Sequence, residues 1–145
     1  MEGSLLEFAD KINEIMPLIM KEFARRQVIE FYKGKITLPQ FLILEFLNKQ
    51  GELKMTDMAH FMKVTTAATT GIVDRLVRYG YVTRIFDPND RRIIKIKLTP
   101  KGADLIKKVN QQRRQMIIRI FGRLSEADRQ DYLRILTQIK DILTK

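Results

Sequence analysis

Residues 56–99 read TDMAHFMKVTTAATTGIVDRLVRYGYVTRIFDPNDRRIIKIKLT, and the hydrophobic period changes within them. Thr56 is placed to cap a short helix running to Met62, with Asp57 favourable at the positive end of its dipole. Lys63 and Val64 make a tight turn. Thr65 caps a second helix, in which Ala68, Ile72, Val73 and Leu76 form one apolar stripe and Gly80 suits a left-handed exit. From Tyr81 the period becomes two: Tyr81, Thr83 and Ile85 alternate with Val82, Arg84 and Phe86, and Ile94, Ile96 and Leu98 alternate with Lys95 and Lys97. Asp87-Pro88-Asn89-Asp90 between the two runs is turn chemistry.

Two helices joined by a turn and followed at once by a basic hairpin make a winged helix-turn-helix. Upstream, Ser4-x-x-Glu7 has the form of a capping box, and Leu5, Phe8, Ile12, Ile15, Met16, Ile19 and Phe23 recur at helical spacing. Pro17 inside that pattern predicts a kink or short break, and the helix should fade by Gly34. Thr37, with Pro39 and Gln40 after it, opens a helix that stops at Gly51. Downstream, Thr99-Pro100 starts a helix bearing Leu105, Ile106, Val109, Met116, Ile117, Ile120 and Phe121, and Ser125 caps a last one bearing Leu133, Leu136, Ile139 and Leu143.

The expected fold is therefore mainly α with a small β-hairpin wing. A single domain over residues 1–145 carries the winged helix-turn-helix at about 37–99 and dimerisation helices at about 4–33 and 100–145. The terminal stripes need cover, and a second copy supplies it economically, with Leu5, Phe8, Ile12, Ile117, Ile120, Leu136 and Ile139 in the interface.

Composition narrows the chemistry. The 145 residues include 27 Lys plus Arg against 17 Asp plus Glu, a formal charge of +10, which points to a polyanionic partner. No cysteine and one histidine rule out disulfides, thiol catalysis and cysteine-based metal sites, and no cofactor is expected. His60 and Asp57 make a poor metal pair, and a surface or phosphate-facing imidazole is the better reading. No nucleophile, base and orienting group stand at a recognisable spacing, so an enzyme is not expected. Neither a membrane span nor a secretion signal is apparent, which makes the cytoplasm the expected compartment.

Residues 56–102 resemble the MarR family of transcription regulators. The resemblance rests on Thr56-Asp57-Met58-Ala59, Val73-Asp74-Arg75-Leu76, Gly80-Tyr81-Val82, Asp87-Pro88-Asn89-Asp90-Arg91-Arg92 and Leu98-Thr99-Pro100-Lys101-Gly102. It implies a homodimeric winged-helix repressor or activator whose first, fifth and sixth helices form the dimer, often relieved by small aromatic or phenolic ligands. It departs at Gly71, where many members carry arginine or another polar side chain; base-specific guanine recognition by that helix is not expected. The resemblance also places an inserted arginine at Arg91.

Helical period turns Thr66, Ala67, Thr70, Gly71 and Asp74 outward with Arg75 on the flank, a surface suited to A·T-rich major-groove sequence. At the wing, Arg91 is assigned to the minor groove, with Arg84, Asp90, Lys95 and Lys97 around it. Arg92 is expected to pair with Asp74 or Asp87 and brace the hairpin against the recognition helix. Lys54, Thr56, Lys63, Thr65 and Arg78, near the ends of the motif helices, would contact phosphate and fix register.

Met16, Met20, Met55, Met58 and Met62, with Phe23, Phe31, Phe41 and Phe61, are either core or the lining of an effector pocket. The function these features support is a sequence-specific, double-stranded-DNA-binding regulator, a repressor acting as a homodimer on a pseudo-palindromic operator. The alternatives are a non-specific architectural nucleic-acid-binding protein and a winged helix that meets an acidic protein.

Overall fold

The computed structural model describes residues 2–26 and 36–145, as two compact units, 1–110 and 111–145, taken in turn. In the first, α1 (Glu2–Arg25) is followed by α2 (Leu38–Gln50), β1 (Leu53–Lys54), α3 (Met55–Met62), α4 (Thr66–Arg78), β2 (Val82–Phe86) and β3 (Ile94–Leu98). Helix α5 (Pro100–Phe121) begins in the first unit, and α6 (Glu126–Leu143) lies in the second.

Helix α1 is already helical at Glu2, so Ser4 lies within its first turn and does not cap it. The chain also stays helical through Pro17. Proline removes one amide donor, and the carbonyl of Asn13 that loses its partner sits at an exposed residue, where water can serve it. The expected fading at Gly34 lies outside the described residues, as does Phe31. Helix α2 has the predicted capping box: Thr37 Oγ1 accepts from the Gln40 amide at 3.3 Å, and Gln40 Oε1 accepts from the Thr37 amide at 3.0 Å. That bond allows Gln40 to be buried.

The sheet has three strands, not two, in the order β1-β3-β2, all antiparallel. Leu53 pairs with Ile96 and Lys54 with Lys95, which holds the chain extended immediately before α3. Helix α3 therefore starts at Met55, with Lys54 at the cap position making no side-chain bond; Thr56 does not cap it. Lys63 ends α3 at φ 54°. It is the one non-glycine residue with positive φ among the described residues, and it forms the tight turn into α4.

Thr65 caps α4, its hydroxyl oxygen accepting from the Ala68 amide at 3.1 Å. The inward stripe of α4 is Thr69, Val73 and Leu76, with Ile72 and Val77 half-buried; Ala68 is exposed, contrary to the sequence reading. Thr69 can occupy the core because its hydroxyl donates to the Thr65 carbonyl at 3.1 Å. The core closes with Phe41, Ile43, Leu44 and Leu47 of α2, Met58 of α3, Val82 and Ile96 of the sheet, and Leu105, Ile106 and Val109 of α5.

Gly80 leaves α4 at φ 81°. Thr99 then ties that exit to α5: its hydroxyl donates to the Gly80 carbonyl and accepts from the Gly102 amide. Lys101 Nζ donates to the Tyr79 carbonyl at 2.7 Å and stands 5.1 Å from the centre of the Tyr81 ring.

In the second unit, Ser125 caps α6 by accepting from the Asp128 amide at 3.1 Å. Phe121 stacks on Tyr132 with ring centres 5.3 Å apart, and Arg129 donates to the Leu124 carbonyl. No residue of α6 is buried, and every described side chain of α1 is exposed except the half-buried Phe23.

Candidate nucleic-acid interface

With Thr69, Val73 and Leu76 turned into the core, Thr66, Ala67, Thr70, Gly71, Asp74, Arg75 and Arg78 occupy the other side of α4. Thr66, Ala67, Gly71, Arg75 and Arg78 are exposed, and Thr70 and Asp74 are half-exposed. Thr70 donates its hydroxyl to the Thr66 carbonyl at 2.8 Å.

The wing is joined to this helix by Asp74 and Arg84, whose guanidinium donates to the Asp74 carboxylate. Arg84 is the partner that Arg92 was expected to be. Val82↔Leu98, Arg84↔Ile96 and Phe86↔Ile94 are opposite pairs, so Arg84 shares a sheet face with buried Val82 and Ile96. That parity was present in the sequence. Its side chain keeps 27% of its exposure, and its guanidinium is held by Asp74.

Arg92 bonds Asp90 through Nε and its terminal nitrogen, both at 3.1 Å, and Asp90 also accepts the Arg92 amide at 3.0 Å. The side-chain bond from Arg92, then its backbone amide, hold the Asp90 carboxyl below the ordinary aspartate range, and the Arg92 guanidinium is correspondingly raised. Asp87 does not brace the hairpin against α4 either: it accepts the amides of Asn89 at 2.8 Å and Asp90 at 3.1 Å and so shapes the tip. Arg91 is exposed at that tip.

Lys54 and Lys95 stand directly opposite across β1 and β3, with Ile85 on the far side of Lys95. Like charges in that position repel, and an anion between them would relieve the repulsion. Lys63 and Thr65 are exposed in the turn between the motif helices, and Thr56 and His60 are exposed on α3.

Of the residues read as core or effector pocket, Phe41 and Met58 are fully buried, Met55 and Met62 pack on the core, and Phe61 stacks on Phe46 at 3.8 Å. Met16 and Met20 are exposed. The apolar side chains expected at a dimer seam are largely bare in the single chain: Leu5 is 69% exposed, Phe8 61%, Ile12 38%, Ile117 48%, Leu136 39% and Ile139 45%. Ile120 is half-buried.

The sequence reading missed strand β1, Arg84 as the brace and the Lys101 contact with Tyr79 and Tyr81. Only Arg84 left a signal, in its alternation with Val82 and Phe86.

Comparison with known proteins agrees with this architecture. The profile of the MarR family matches residues 36–94. The multiple antibiotic resistance protein MarR of Salmonella typhimurium is 30% identical over 110 residues, covering 72% of this chain and 76% of that protein. The crystal structure of RV1404 from Mycobacterium tuberculosis superposes with a TM-score of 0.82 at 28% identity, over 94% of each chain. A point mutant of S. aureus MepR, solved bound to an oligodeoxyribonucleotide, shares the fold with a TM-score of 0.69 at 22% identity, over 91% of this chain and 97% of that one. No helix among the described residues is long and apolar enough to cross a membrane. A helix-turn-helix whose outer face stays open beside a braced, arginine-tipped wing, in a chain this similar to those regulators, belongs to the MarR family of winged-helix transcription regulators and binds DNA, not a substrate to be turned over.

Proposed function

We propose that the chain is a homodimeric repressor that reads a pseudo-palindromic operator and is released by a small aromatic or phenolic ligand, acting in the cytoplasm where its operator lies. The whole chain works as one domain, with the winged helix-turn-helix over about 37–99 between dimerisation helices. The carrying observation is the reading head. Helix α4 is anchored on one side in the core, exposed on the other, and tied to the wing through Asp74 and Arg84.

Thr66, Ala67, Thr70, Gly71 and Arg75 enter the major groove. Arg91 enters the minor groove, and Lys54, Thr56, Lys63, Thr65, Asp90, Arg92 and Lys95 position the backbone. The bare stripes of α1, α5 and α6 support dimerisation, because exposed apolar rows of this kind need a partner. Two heads about 34 Å apart would match one duplex turn. Release by an aromatic ligand rests on family membership.

Gel shifts against DNA upstream of the chain's own gene test the reading, alongside sedimentation. The expected result is a dimer that prefers that DNA over a scrambled duplex at moderate salt. A monomer, or equal affinity for both duplexes, overturns it. Equal affinity would instead favour an architectural role, for which the small side chains at the centre of α4 are the supporting observation.

A further inference from the structure

Three positions at the centre of the outward face of α4 offer no ready hydrogen-bond donor. Thr70 already donates its hydroxyl to the Thr66 carbonyl at 2.8 Å. The Asp74 carboxylate is engaged by Arg84. Gly71 has no side chain, is exposed, and a Cβ built there would meet no atom within 4 Å. Glycine weakens a helix interior, and nothing within the protein requires the methyl group to be missing.

A helix that needs glycine for no internal reason, on the face turned to DNA, has its reason in how closely that DNA approaches. Resting on the regulator reading, we infer that Gly71 determines specificity: it is a notch between Ala67 and Arg75 that receives a thymine C5-methyl in the major groove. The base at that position is read by shape and apolar contact, not by a bidentate hydrogen-bond pair. Among the bases of DNA only thymine carries that methyl, and deoxyuridine retains the rest of its hydrogen-bonding pattern.

The test uses the full chain and an operator it enriches from a random duplex pool. Each thymine of that operator is replaced in turn by deoxyuridine, and affinity is measured for the natural chain and for Gly71→Ala. With the natural chain, one replacement per half-site should weaken binding about fourfold, the worth of one buried methyl. Gly71→Ala, which fills the notch in both protomers, should bind the thymine operator about a hundredfold more weakly, the scale of one mismatched base pair in each half-site, and should no longer distinguish uracil from thymine.

Because the space around Gly71 is open, the variant should melt no lower than the natural chain, so lost binding reports on the interface and not on folding. If an operator is enriched but no single replacement weakens binding, or if Gly71→Ala binds it as the natural chain does, the notch is refuted and the regulator reading stands. If no sequence is enriched, both fall together.

Discussion

The same substitution, glycine to alanine, should change stability in opposite directions at Gly102 and Gly71. A Cβ at Gly102 would lie 2.1 Å from the Tyr81 carbonyl oxygen, 3.0 Å from its carbon and 3.1 Å from Leu98 Cδ2. Ordinary carbon contacts begin at about 3.5 Å, so the start of α5 and the exit of α4 must part by about 1.4 Å. The Tyr81 oxygen cannot simply move aside, because it accepts the Thr99 amide at 3.1 Å, and Thr99 in turn bonds Gly80 and Gly102. Overpacking of this kind costs about 1–3 kcal/mol, against a helix-propensity gain of at most about 1 kcal/mol. The net is a loss of about 1 kcal/mol, or about 3 °C in melting temperature at about 3 °C per kcal/mol for a chain of this size.

At Gly71 nothing opposes the propensity gain, so Gly71→Ala should melt about 3 °C higher. Thermal unfolding followed by far-ultraviolet circular dichroism, at one protein concentration, reads both changes. Gly102→Ala melting at or above the natural chain would show that the junction between α4 and α5 yields easily, which would refute the reasoning.

Three further outcomes follow from the site. Arg84→Met should cost less than about 1 kcal/mol of stability, since the pair it breaks is partly exposed, yet operator affinity should fall several-fold because the wing loses its tie to α4; unchanged affinity in a gel shift removes the brace from the mechanism. Arg91→Ala should lower the slope of log affinity against log salt by about 1 per half-site, and an unaltered slope would place the residue outside the complex. Because Arg92 lowers the folded-state pKa of Asp90, that contact contributes above the ordinary aspartate range and is lost as pH falls through the lowered value. Carboxyl NMR should show Asp90 titrating low in the natural chain and rising part of the way toward the ordinary range in Arg92→Gln, which keeps the backbone amide at position 92.

Much of what is encoded by neighbours within a turn of helix or a pair of strands was legible in the sequence, although the Ser4 cap and the inward place of Ala68 were not borne out. The capping box at Thr37 and Gln40, the caps at Thr65 and Ser125, the left-handed exit at Gly80 and the hairpin with its Asp87 turn all depend on residues a few positions apart. The exposure of Thr66, Ala67, Gly71 and Arg75 followed from the same local period.

Only the folded chain decided the rest, because it depends on groups remote in sequence. The two residues of β1 show no alternation and become a strand only because β3 arrives beside them. Once they do, α3 must begin at Met55, and Thr56 loses its role as a cap. Thr69 rather than Ala68 lies in the core because the way α4 docks turns it inward, and its hydroxyl, satisfied by the Thr65 carbonyl, can be buried there. Arg84 rather than Arg92 reaches Asp74 because sheet parity turns Arg84 toward α4, while Arg92 stays at the tip, where Asp90 is closer. Side-chain charge announced that arginines and aspartates would pair, and the three-dimensional path of the backbone chose the partners.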